Sequence, residues 1–92
     1  MNHPHKGHRE RLRKRYLDNG LDSLADHEVL ELLLFQFLPY RDTNEIAHAL
    51  IDKFGNLANV LDATADQLMT VKGISQVTAT NLSLLKQLFY RC

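Results

Sequence analysis

The chain has 92 residues, 45% of them hydrophobic, and its eleven basic side chains balance eleven acidic ones. This describes one small domain with a single core and argues against disorder; the longest apolar run, Leu32 to Leu38, is interrupted by Gln36 and too short for a bilayer. The one cysteine, Cys92, excludes a disulfide framework, and the His- and Arg-rich N-terminus lacks a signal peptide's apolar stretch, so a reducing cytoplasm is the expected setting and no membrane association is expected.

Charge is unevenly placed. Residues 1–15 hold Lys6, Arg9, Arg11, Arg13, Lys14 and Arg15 against Glu10 alone, whereas the remainder holds five basic and ten acidic side chains. A basic arm on an acidic body suits contact with nucleic acid. It suits equally an arm laid against the acidic surface of its own domain or of another one.

Strand signals are nearly absent and helical periodicity recurs throughout, which predicts an all-α fold in one domain, residues 1–92. Residues 1–7 read as a flexible arm. His8 to Asp18 reads as a basic helix with Leu12 and Tyr16 on one face, Leu17 beside them, and Glu10 and Lys14 paired at i, i+4. Arg11, Lys14 and Arg15 form a ridge on it, Arg9 and Arg13 flank the apolar stripe, and Asn19-Gly20 stops it. Asp26 starts a second helix that is apolar around almost its whole circumference, so it should be central and buried; Pro39 ends it. Asp42-Thr43-Asn44-Glu45 starts a third helix, which turns Ile46, Ala47, Leu50, Ile51 and Phe54 inward and stops at Gly55. Asn56 caps a short helix holding Leu57, Val60 and Leu61.

Thr64 and Gln67 then have the spacing of a capping box. Val71-Lys72-Gly73-Ile74-Ser75 reads as a tight hairpin in which Gly73 supplies a permissive backbone. Ser75 N-caps a last helix that runs to about Tyr90 and carries Val77, Leu82, Leu85, Leu88 and Phe89. Amides at such a helix start point outward with partial positive charge and can hold a phosphate. This is the logic of a helix-hairpin-helix element, which grips a nucleic-acid backbone without reading bases. The usual hairpin has glycine where Ser75 stands and lysine or arginine where Gln76 stands; the alternative is a joint that only lets two helices pack. An internal offset of 32 residues aligns Ala47 with Ala79, Leu50 with Leu82 and Arg41 with Gly73. Residues 26–91 would then form a tandem helix-hairpin-helix core of a five- to six-helix unit, its first hairpin degenerate.

Catalytic chemistry is not visible. His3, His5 and His8 lack the further ligands of a zinc site, so no metal is expected. Glu28 and Glu31 have a sufficient reason to sit near a helix start in the macrodipole. His27 and His48 read as solvent-facing. Ser23, Ser75 and Ser83 lack the His and Asp of a nucleophile, and four scattered glycines make no nucleotide loop, so no cofactor is expected.

Gly7-His8-Arg9-Glu10-Arg11-Leu12-Arg13 followed by Leu24-Ala25-Asp26-His27-Glu28-Val29-Leu30-Glu31-Leu32-Leu33-Leu34 resembles the N-terminal domain of the bacterial RadC family. So do Arg41-Asp42-Thr43, Phe54-Gly55-Asn56-Leu57, Val60-Leu61-Asp62-Ala63 and Val71-Lys72-Gly73-Ile74, in order and correctly spaced over nearly the whole chain. In that family the helical domain precedes a JAB/MPN metalloprotease-like domain with a zinc-binding His-x-His, Ser and Asp signature, which is missing here. The resemblance therefore implies a non-catalytic N-terminal domain of a longer chain, with an old association with DNA repair. Two functions are expected from residues and resemblance together. One is sequence-independent nucleic-acid binding, DNA ahead of RNA, with amides of Lys72, Gly73, Ile74 and Ser75 and charge from Arg9, Arg11, Arg13, Lys14 and Arg15. The other is a protein-interaction or positioning module for the attached metalloprotease-like domain.

Overall fold

The computed structural model describes residues 4–38 and 42–92, with side chains from residue 7 onward. Among these residues the chain is all α-helical: α1 (Pro4–Asn19), a 3-10 turn (Leu21–Ser23), α2 (Asp26–Phe37), α3 (Thr43–Phe54), α4 (Leu57–Asp62), α5 (Ala65–Leu68) and α6 (Gln76–Arg91). The first helix begins at Pro4, not at the expected His8. Proline suits a first helical turn, where its missing N–H has no intrahelical partner to lose. Residues 4–7 of the expected arm are thus helical.

The termini form as their side chains dictate. Asp42 Oδ1 accepts from the Asn44 and Glu45 amides, and Asn56 Oδ1 accepts from the Asn59 amide. Thr64 and Gln67 complete a reciprocal capping box, at 3.2 and 2.9 Å. At the start of α2 Ala25 has no side-chain oxygen, yet its amide donates to Glu28 Oε1 at 2.9 Å, so half of a capping box survives. Asp26 Oδ2 accepts from the Leu57 amide at 3.0 Å, fastening the starts of α2 and α4 together.

Helix α2 is central, as its apolar circumference requires. One side contributes Leu30 and Leu34 to the main core, where they meet Ala47 and Leu50 of α3, Val60 of α4, Leu68 of α5, and Ala79 and Leu82 of α6. The two pairs aligned by the 32-residue offset, Ala47 with Ala79 and Leu50 with Leu82, are all fully buried in this core. The hairpins α2–α3 and α5–α6 therefore share it, although Pro39, Tyr40 and Arg41 of the first turn lie outside the described residues. The other side of α2 carries Val29 and Phe35 into a second cluster with Leu12 of α1 and Leu24.

Three expectations change. Leu12 is buried, but Tyr16 is 45% exposed and Leu17 78% exposed, because α1 meets α2 along one narrow line. Lys14 pairs with Asp18 at 2.8 Å and not with Glu10. His27, read as solvent-facing, is half-buried and stacks on His48, ring centroids 4.2 Å apart, tying α2 to α3; His48 is exposed, as read.

Candidate interaction surfaces

The basic helix is partly committed to its own domain. Arg9 is buried; its Nη2 donates to the Leu38 carbonyl at 2.9 Å and its guanidinium lies 4.6 Å from the Phe35 ring centre. Burial lowers its pKa, and the neighbouring Arg13 lowers it further. The Arg13 guanidinium lies 5.6 Å from the centre of the same ring. Arg15 donates to Glu28 at 2.7 Å and to the Ser23 carbonyl at 2.9 Å. Arg9, read from sequence as a phosphate contact, thus packs against Phe35 and the end of α2, and Arg15 clamps the start of α2. Arg11, Arg13, Lys14 and Arg15 are exposed.

The hairpin has the conformation its glycine suggested, with Gly73 at φ +96°. The turn closes through amide donation from Val71 to the Leu68 carbonyl and from Ile74 to the Val71 carbonyl, both at 3.1 Å. The Ile74 amide is therefore used inside the turn, and its side chain is buried. Ser75 Oγ accepts from the Thr78 amide at 3.4 Å and caps α6. Lys53 of α3 donates to Thr70 Oγ1, which donates to the Gln67 carbonyl and braces the loop. Lys72 is exposed, but it shares a shallow cleft with Asp42 and Glu45 at the start of α3. Asp42 also lines a cleft with Arg9 on its other side. Asp42 thus borders both the cleft of Lys72 and that of Arg9.

Sequence reasoning missed a buried carboxylate. Glu31 is 1% exposed; His8 Nε2 lies 3.0 Å from Oε1, and Asn44 Nδ2 donates to Oε2 at 3.3 Å. The signal was present, since an ionisable residue inside a helix apolar on nearly all sides must find partners within the fold. Among the described residues no group of three or more His, Cys, Asp or Glu is placed to hold a metal. His3, and the side chain of His5, fall outside them. Ser23 Oγ and Ser83 Oγ each donate to a backbone carbonyl three residues earlier.

Sequence reasoning also missed a groove. It occupies about 660 Å³ between the C-terminal half of α1, the face of α2 bearing Leu32 and Leu33, α4 and the end of α6. Tyr16, Leu17, Leu61, Leu85 and Phe89 form its walls, with Arg13 and Lys86 also lining it. Leu17 is 78% exposed and Phe89 80% exposed. Lys86 pairs with Asp62 at 2.9 Å, a contact that raises its pKa.

These features define a small all-α domain, two helical hairpins on a common core with a basic helix laid along one side. No helix among the described residues is long and apolar enough to cross a membrane. Residues 5–80 match the UPF0758 N-terminal family, and the chain belongs to it. It is 45% identical over 83 residues to a UPF0758 protein of Fusobacterium nucleatum, a match covering 90% of this chain and 36% of that protein. A UPF0758 protein of Ruegeria pomeroyi is 38% identical over 86 residues, covering 94% of this chain and 38% of that protein. The chain therefore spans little more than a third of the length of these relatives. The N-terminal assignment agrees with the motifs read from the sequence. No solved structure matches the chain.

Proposed function

We propose that this is a non-catalytic docking module of the cytoplasm that packs against, and positions, another part of the longer family protein. The observation that carries this reading is the groove. A large apolar surface rimmed by polar groups marks an interaction site on a soluble domain. The relatives supply chain to fill it, since more than 60% of their length lies outside the match. The test is titration of the 92-residue chain with the remainder of the Fusobacterium nucleatum relative, expressed separately. Saturable binding is expected, and Leu17→Asp with Phe89→Asp should abolish it without lowering the melting temperature, because both side chains are exposed. Equal binding by parent and variant would exclude the groove.

A second reading rests on the hairpin. Gly73 at φ +96° and the Ser75 cap shape the turn as a phosphate-holding hairpin requires. On this reading Lys72, Gly73 and Ser75 hold a nucleic-acid backbone, and Arg11, Arg13 and Lys14 supply charge. The acidic cleft beside Lys72 weighs against it. Titration with duplex DNA and with RNA at two salt concentrations decides: backbone binding would weaken steeply with salt.

A further inference from the structure

We propose that the groove receives an amphipathic helix from the chain that follows α6 in the longer family members, with a carboxylate of that helix set against Arg13 and Lys86. This rests on the docking reading above and names the occupant.

Three observations converge. The first is charge: the groove is apolar, its charged lining residues are Arg13 and Lys86, and among the described residues no carboxylate lines it. A partner with an apolar stripe and a flanking acid complements it, and an acid beside Lys86 extends the existing pair with Asp62. The second is the end of α6. Leu85 and Phe89 face the groove while Leu84, Leu88 and Tyr90 are exposed around the same two turns. Exposed apolar side chains gathered at one helix end beside an apolar groove mark a surface that a partner covers. The third is reach. In the relatives most of the protein lies outside the N-terminal match, and chain leaving Arg91 starts two residues beyond the groove residue Phe89. A tethered partner acts at an effective concentration in the millimolar range, so modest contacts suffice. A second copy of this chain fits less well, because apposing two grooves brings Arg13 and Lys86 of both copies together.

The experiment compares the 92-residue chain with the same chain extended by the remainder of the Fusobacterium nucleatum relative. Both carry Leu17→Cys as a reporter and Cys92→Ser to remove the exposed native thiol. Maleimide labelling at position 17 should slow on the order of tenfold in the extended chain, while Ala58→Cys, exposed on α4, should label at one rate in both. Arg13→Glu with Lys86→Glu should return the rate to within about twofold of the unextended chain. The milder pair Arg13→Gln with Lys86→Gln, monitored by circular dichroism, should move it in the same direction. Hydrogen exchange on the extension should show one protected stretch with apolar residues at i, i+3 and i+4 and an acid beside them.

No slowing at position 17 would overturn the docking reading and the occupant together. Slowing that both charge pairs leave untouched, or protection of a strand or of scattered segments, would leave docking standing and overturn the acidic helix. Slowing in the unextended chain that grows with protein concentration would assign the groove to a second copy.

Discussion

His8 of α1 and Asn44 of α3 reach the same buried carboxylate, that of Glu31 on α2, from opposite oxygens. Three helices are fastened at one point, and a carboxylate almost wholly removed from water is kept there by its partners. Glu31→Ala should therefore destabilise by about 1–3 kcal/mol, since it removes two hydrogen bonds that fasten three helices. Glu31→Gln should cost less, because it still offers an acceptor to Asn44. Thermal melts of the two variants beside the parent check the order; equal melting of Glu31→Ala and parent would show that the node carries no stability.

Glu28 predicts a pH dependence. The Ala25 amide acts most strongly and holds its carboxyl below its ordinary value of 4.5; burial opposes it, and the hydrogen bond and charge of Arg15 then add to the lowering. A lowered folded-state pKa means that the contribution is complete above the unfolded value and disappears as pH falls through the folded one. Glu28→Gln should thus melt below the parent at pH 7, by an amount of about 0.5–1 kcal/mol. The two curves should converge as pH falls below 4.5 and through the lowered folded-state value. A constant gap down to pH 2 would remove ionisation from the explanation.

Neighbouring leucines on α2 should behave differently. Leu34 is fully buried in the main core, and Leu34→Ala should cost about 2–5 kcal/mol. Leu33 is half-buried and lines the groove, so Leu33→Ala should cost about 1 kcal/mol. The apolar circumference of α2 had made the two equivalent; only the groove separates them. Chemical denaturation with a common m-value measures both, and equal losses would mean that the groove is closed in solution.

That contrast shows where sequence ran out. Local chemistry was legible: the Thr64–Gln67 box, the Asp42, Asn56 and Ser75 caps and the positive φ of Gly73 each depend on residues a few positions apart. So was the centrality of α2, which follows from its composition. The fates of Leu17, Phe89 and Arg9 were not legible, because each depends on which face of a helix meets which neighbour. Periodicity marks a stripe as apolar without saying whether anything covers it. Arg9 read as surface charge because its partners, Phe35 and the Leu38 carbonyl, lie more than 25 residues away.

Gly73→Ala should destabilise by about 1 kcal/mol or more, because φ +96° is a region that a Cβ disfavours. The loss should appear as faster unfolding with α5 and α6 still formed in the native state. Calorimetry checks the size, and an unchanged transition would show that the turn relaxes freely to another conformation.

Arg9 and Arg11 provide the last contrast, since both were assigned to phosphate binding from the sequence. Arg9 is buried against Phe35 and donates to the Leu38 carbonyl, so Arg9→Ala should cost about 1–3 kcal/mol from a charged hydrogen bond and a cation–π contact. Arg11 is exposed, its guanidinium lying over Gly7, and Arg11→Ala should stay within about 0.5 kcal/mol of the parent. Any nucleic-acid affinity should show the reverse order: lost with Arg11 at constant stability, and lost with Arg9 only as far as the fold loosens. Melting and DNA titration of the two variants, done side by side, separate the roles. A variant at Arg9 that melts like the parent yet loses DNA affinity would return that residue to the interface.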